Sequence, residues 1–350
     1  MENVQFKQVK NFSFVCEPKF SDADKLVRQR EGKRALTLSI PVTDGKSTVF
    51  VESFSFGAPE RTLYLRDTNF KSFNVEPSER FNPDVVKQVS YVNQYKVNLN
   101  GGQETFIDVY DFVKSVEAHA KAGHLNKRVR ITGDVEVNYY NGTTSLKYRP
   151  KKIEEVSNDT PMKLMVQMNG LVKNNSLKET ENGLEVELYV SEYFKLQDED
   201  KRHERFSEQR LVVPKNDNPK VDAYFKTLFS VKPNEHRAVI LEMEVFRGAG
   251  EVVVKELSET QRLYISLGFL TEEEAIKDNT MKDSVQKEEL RVVRPSKREG
   301  YTFKGLCVSE EQYKEMIFGF EPIVSKTEDL FGSGDGADFM SLFSDEDMPF

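Results

Sequence analysis

Tryptophan is absent from the 350 residues, and cysteine and histidine are scarce, with two and four copies. Without tryptophan, any stacking on rings falls to the 25 phenylalanines and 13 tyrosines. Cys16 and Cys307 stand far apart, and His119, His124, His203 and His236 are the only further soft ligands. No zinc-ligand spacing results, so neither a metal nor another cofactor is expected. The histidines are too scattered to suggest a hydrolytic dyad, and no carboxylate cluster with a lysine has the spacing of a common nuclease core. A non-enzymatic chain is therefore expected. No apolar run approaches the length of a membrane span and no N-terminal signal pattern stands out, which points to a soluble, cytoplasmic protein. Two near-motifs are excluded by context. Asp44-Gly45-Lys46-Ser47 has Ile40 where a phosphate loop needs its first glycine, and the glycine-rich run 332–337 follows no strand.

An excess of positive charge is missing too. The formal net charge is −8, unfavourable for contact with a polyanion until it is divided along the chain. Residues 1–156 carry 24 basic against 20 acidic residues, 157–325 carry 25 against 31, and 326–350 carry 1 against 7. Only the first portion is basic, which makes it the better candidate for phosphate contact. With 38% hydrophobic residues, a chain of this length can bury two moderate cores.

The chain ends in Asp345-Glu346-Asp347-Met348-Pro349-Phe350. Such a run has little to bury and repels itself, so it cannot fold alone. Pro349 pre-sets an extended backbone, and Phe350 offers a partner pocket both a ring and a free carboxylate. This tip resembles the tails of bacterial single-stranded DNA-binding proteins, which end in an acidic run, a branched aliphatic residue, proline and phenylalanine. Here Glu346 replaces an aspartate and Met348 the aliphatic. The resemblance covers six residues, supported by the glycine-rich acidic approach before them. It implies a tail that recruits replication, recombination and repair proteins through Asp345 to Phe350, and a separate OB-fold core that holds DNA. Members of that family usually bring four OB units together, which two units per chain would reach as a homodimer; the alternative is a monomer. The extra length, with no alignable block in the body, suggests a bacteriophage version, acting in the bacterial host cell.

Along the body, 35–42 and 46–56 flank Asp44-Gly45, a hairpin signal. With a two-residue turn, Ile40 lies opposite Val49, Leu38 opposite Val51 and Leu36 opposite Ser53, all on a buried face. The other face then carries Thr37, Ser39, Phe50, Glu52, Phe54 and Phe56, with Lys33 near Phe56. Rings on the polar side of a hairpin suit base stacking, with neighbouring cations for phosphates; packing under 61–75 would equally account for them. Residues 57–104 interleave aromatic and basic types, Tyr64 and Arg66 among them, and form an insertion. A helix follows over 105–122, with Phe106, Val109, Phe112, Val113 and Val116 on one side. A second hairpin at Asn141-Gly142 pairs Val137 with Leu146 and Val135 with Tyr148 inside, and Glu136 with Lys147 and Asp134 with Arg149 outside. Arg128 and Arg130, lacking an obvious partner, are better phosphate candidates than Lys147 and Arg149.

Strands, hairpin, helix and closing hairpin make the order of an OB-fold. The second portion repeats the plan with strands at 162–172 and 184–194, a helix at 221–229, and a hairpin of 236–246 with 251–257. The resulting expectation is a mainly β protein with some α. It comprises an OB-like single-stranded-DNA-binding domain (1–156), a second OB-like domain (157–270), a charged linker with a small helical module (271–320), and a disordered acidic tail (321–350). In the linker, Arg291 and Arg294 open a basic and aromatic cluster, and Ser309 with Gln312 has capping-box spacing before a helix. The expected function is to coat and protect single-stranded DNA and recruit partners. The alternatives are a replication adaptor that binds proteins without DNA, and a nuclease or strand-annealing recombination protein with a borrowed tip.

Overall fold

The computed structural model describes residues 8–29, 35–55, 60–140, 143–195, 202–233, 235–247, 258–267, 270–271, 274–275, 288–296 and 305–313. The protein is mainly β. Its first half contributes β1 (Lys10–Pro18), β2 (Val27–Gln29), β3 (Leu36–Thr43), β4 (Thr48–Ser55), β5 (Leu63–Arg66) and β6 (Ser72–Val75), then helix α1 (Pro83–Gln88). β7 (Tyr95–Asn98), β8 (Glu104–Phe106), helix α2 (Val109–Lys121), β9 (Val129–Tyr140) and β10 (Thr143–Glu155) complete it.

Five of these strands close on themselves. β1 pairs with β3, β3 with β4, β4 with β10 in parallel, β10 with β9, and β9 with β1. Alternation explains the closure, because every second residue of β3 and β4 points inward. Leu36, Leu38, Ile40, Val49 and Val51 are almost wholly buried, with Phe12, Phe14, Ile131 and Tyr148 from the other strands. Helix α2 enters between the third and fourth strands of this ring. Asp108 caps it by accepting from the Tyr110 amide, and Phe112, Val113 and Val116 face the core.

The hairpin register differs from the expected one by two residues. Leu36 pairs with Ser55, Leu38 with Ser53 and Ile40 with Val51. The turn has four residues, because Asp44 Oδ1 accepts from the amides of Lys46 and Ser47 (2.9 and 2.7 Å) while Thr43 Oγ1 donates to the Ser47 carbonyl (2.7 Å). Gly45 takes a φ of 90°, which that loop needs. A shift of two keeps each side chain on its face, so the inner and outer sets stand. The second hairpin holds the expected register, Leu146 opposite Val137 and Tyr148 opposite Val135, up to a bulge after Pro150. There β9 passes so close that a Cβ on Gly133 would lie 1.9 Å from the Arg149 carbonyl oxygen.

The insertion between β4 and α2 has its own small core of Leu63, Val75, Val89 and Ile107. An ionic cluster around buried Arg80 and Asp108 anchors it. Arg61 reaches Asp108 (2.9 Å), and Arg80, 4% exposed, bonds Asp111 and lies 3.9 Å from Asp108. Burial pushes the Asp111 carboxyl up, against the opposing pull of Arg80. Phe106, expected on the helix, belongs to β8 because the Asp108 cap starts the helix later.

The second half repeats the ring. β11 (Lys163–Thr180), β12 (Gly183–Lys195), β13 (Arg202–Pro214), helix α3 (Pro219–Phe229), β14 (His236–Arg247), helix α4 (Glu259–Ser266), β15 (Glu288–Pro295) and β16 (Leu306–Val308) follow in order. β11 pairs with β12, β12 with β13, β13 with β15 in parallel, β15 with β14, and β14 with β11. Again the helix separates the third strand from the fourth. β14 takes β11, β15 and β16 as its described partners; the 251–257 strand expected beside it lies outside the described residues. Backbone pairing crosses the expected boundary at 156/157, since β1 lies against β11 from Lys10–Met168 to Val15–Lys163, and one apolar core runs through both halves. Where the halves meet, Tyr148 donates to Glu288 (2.7 Å) and the Arg247 amide donates to Ser47 Oγ (3.1 Å). No helix of the described residues is long and apolar enough to cross a membrane.

Candidate nucleic-acid interface

The outer face of the β3–β4 hairpin is the floor of a groove. Register places Arg28 of β2 opposite Thr37 of β3, and Thr37 opposite Phe54 of β4. Ser39 then opposes Glu52, and Pro41 opposes Phe50. The segment between β1 and β2 folds over this floor, held by the Ser39 amide donating to the Leu26 carbonyl (2.9 Å) and the Lys19 amide donating to the Pro41 carbonyl (2.8 Å). Between them lies a cavity of about 390 Å³ whose wall carries Lys19, Phe20, Asp22, Lys25 and Arg28. Two carboxylates, Asp22 and Glu52, line it beside these three cations.

Phe50 is 48% exposed, a large share for a ring on a well-paired strand. Phe20 leans on the core and presents its remaining edge to the same cavity. Beyond β4 lies β10. Because Tyr148 pairs in parallel with Val51 and both point inward, Lys147 and Arg149 share the outer face with Phe50 and Glu52. Arg149 donates to the Glu52 carbonyl (3.5 Å), and its Nε bonds Glu136 (2.6 Å). Lys147 takes part in no ion pair among the described residues. The face therefore presents a ring with the cations of the β1–β2 segment on one side and those of β10 on the other.

Of the residues expected from sequence, Phe50, Phe54, Lys147 and Arg149 come together here. Tyr64, 80% exposed, and Arg66 lie on the outer side of the β5–β6 pair, in the insertion, on a separate two-stranded sheet. Arg128 and Arg130 were expected to be unpartnered and are not. Arg128 donates to the carbonyls of Asn158 and Thr160 and meets Glu17 at 3.2 Å, while Arg130 meets Glu154 at 3.3 Å. Arg130 pairs across from Glu154, which is seven residues along β10 from Lys147, roughly 20 Å of strand. Both arginines are thus engaged within the chain, as Arg149 is with Glu136, whereas Lys147 takes part in no ion pair among the described residues. Lys33, Phe56 and the tip Asp345, Glu346, Asp347, Met348, Pro349 and Phe350 lie outside the described residues.

Lys19, Phe20, Lys25 and Arg28 were missed. Their segment, 17–33, reads from sequence as a charged loop or short helix, and it does hold one helical turn, Ala23–Lys25; the available signal was the pairing of basic and aromatic types at Lys19-Phe20 beside a hairpin that already carried an outward ring.

The corresponding face of the second ring differs. Its outer rows oppose Tyr189 to Glu208 and Glu187 to Arg210. Phe206 stacks on Tyr313 (5.8 Å between centroids), Tyr313 Oη accepts from buried Asn169 (3.1 Å), and Lys173 sits over the Tyr189 ring (4.1 Å) while meeting Glu310 (3.1 Å). Burial, followed by bonding to Glu208, pushes the Tyr189 hydroxyl up to about 12. The short helical turn at 310–313, capped reciprocally by Ser309 and Gln312, thus seats Tyr313 on an apolar cluster of Val9, Leu171, Ala238, Ile240 and Val308, with Tyr189 and Phe206 beside it. Arg291 and Arg294 of the expected basic cluster pair with Glu289 and Glu242. No protein-family model matches the chain, and a search of curated proteins finds no significant match.

Proposed function

We propose that the chain is a single-stranded DNA-binding protein built on two OB-folds, with DNA lying across the outer face of β3 and β4. The ring order supports the fold reading: in strand sequence each ring runs first, second, third, fifth, fourth and back to first, with a helix before the fourth strand. In OB-folds the face of strands two and three, with the loop joining strands one and two, takes up oligonucleotides. The groove occupies that position in the first ring.

One observation carries the functional reading. Phe50 stands half exposed on a β floor between the cations Lys19, Lys25 and Arg28 on one side and Lys147 on the other. Bases stack on the ring whatever their identity, and phosphates meet the flanking charges. The second ring, acidic and capped by its own chain, completes the architecture. The terminal six residues recruit partner proteins, consistent with their acidic-apolar chemistry.

A fluorescence-anisotropy titration with oligo-dT at low and high salt tests this. Binding at micromolar concentration or tighter that weakens steeply with salt supports the reading. No binding would favour a protein adaptor, and metal-dependent loss of the oligonucleotide a nuclease.

A further inference from the structure

We infer that Glu52 gives the groove a preference for guanine among unpaired bases; the inference rests on the single-strand reading above. A carboxylate in a groove for a polyanion repels phosphate, so its presence on the floor calls for a use that offsets that cost. Glu52 lies two residues from Phe50 on one strand face, so both side chains line the same cavity.

Among the described residues its acceptor capacity is unspent. Lys19 meets Glu17 at 3.8 Å and Lys25 meets Asp22 at 3.4 Å, while Arg149 Nε bonds Glu136 and its Nη1 reaches only the Glu52 main-chain carbonyl. No ion pair among the described residues reaches the Glu52 carboxylate. An ionised carboxylate offers two acceptor oxygens and no donor. On its Watson–Crick edge guanine sets N1–H and N2–H side by side, two donors at the spacing of those oxygens. Cytosine and adenine place one amino group beside an acceptor nitrogen, and thymine holds one N–H between two carbonyls. A guanine stacked on Phe50 can satisfy both oxygens of Glu52, and no other base can.

The test uses the full chain and short oligo-dT carrying one central substitution: dG, inosine (which lacks the 2-amino group), dA or dC. Expected is about fivefold or greater tightening for dG over unsubstituted oligo-dT, with most of that gain lost for inosine. Glu52→Gln should lose the dG advantage, binding dG-substituted and unsubstituted oligo-dT with equal affinity. Equal binding of all oligonucleotides by the wild type, or a dG advantage that survives in Glu52→Gln, would overturn the inference and leave the single-strand reading standing. Failure to bind any of them would overturn both.

Discussion

Phe50 is where the chemistry of the groove is most exposed to test. Replacing it with alanine removes a stacking platform, so affinity for oligo-dT should fall by about 1–3 kcal/mol, roughly 5-fold to 150-fold. Because the ring is half in solvent and adds little to the core, the melting temperature should stay within a degree or two of the wild type. An unchanged affinity with an unchanged melting temperature would remove Phe50 from the site. The ring's outward direction was legible from alternation alone, since Val49 and Val51 had to face inward. The fate of Arg128 was not. Its partners are the carbonyls of Asn158 and Thr160 and the carboxylate of Glu17, groups that a one-dimensional reading does not bring near it. A cation without a neighbour in sequence is not a cation without a neighbour in space.

Among elements, the hairpins show how far pattern reaches. The β9–β10 hairpin keeps the simplest register, Tyr140 opposite Thr143, whereas the side chain of Asp44 captures two amides and widens its turn by two residues. Strand β13 was invisible for another reason. Its inward residues include Ser207 and Gln209, and its outward ones are mostly charged, so neither hydrophobicity nor alternation marks it. The contact between β10 and β15 offers a stability test. Glu288 accepts from Tyr148 in the joint between the rings, and burial holds its carboxyl above the ordinary range. A carboxyl raised in the folded state contributes stability below its unfolded pKa and loses it as pH climbs through the folded one. Glu288→Gln keeps an acceptor for Tyr148 without the charge. The variant should melt about 1–3 °C above the wild type at neutral pH. The gap should close as pH falls below the usual carboxylate range, near 4. A variant that melts lower at neutral pH would mean that the ionised carboxylate holds the joint together.

For the whole molecule, the sequence order of strands and helix made two similar units legible, and the pairings close each into a five-strand ring. What composition could not reveal is that β1 and β11 also pair with each other, so the two cores run together. Charge is divided in a corresponding way: the basic first portion bears the open groove, and the acidic second portion bears a face covered by Tyr313. The acidic terminus predicts a separation of roles. Removing Met348 to Phe350 should abolish recruitment of replication or repair proteins in pull-down assays while leaving DNA affinity equal or slightly tighter. A several-fold loss of DNA affinity on that deletion would show the tail to be part of the DNA site.

Photo-cross-linking addresses the location of the strand most directly. An oligo-dT bearing 5-iodouracil, irradiated in complex with the full chain and mapped by mass spectrometry, should attach to Phe50 or Phe20, in peptides from β4 or from the segment between β1 and β2. Attachment concentrated instead on β12 and β13, or confined to the insertion around Tyr64, would contradict a binding face on the first ring.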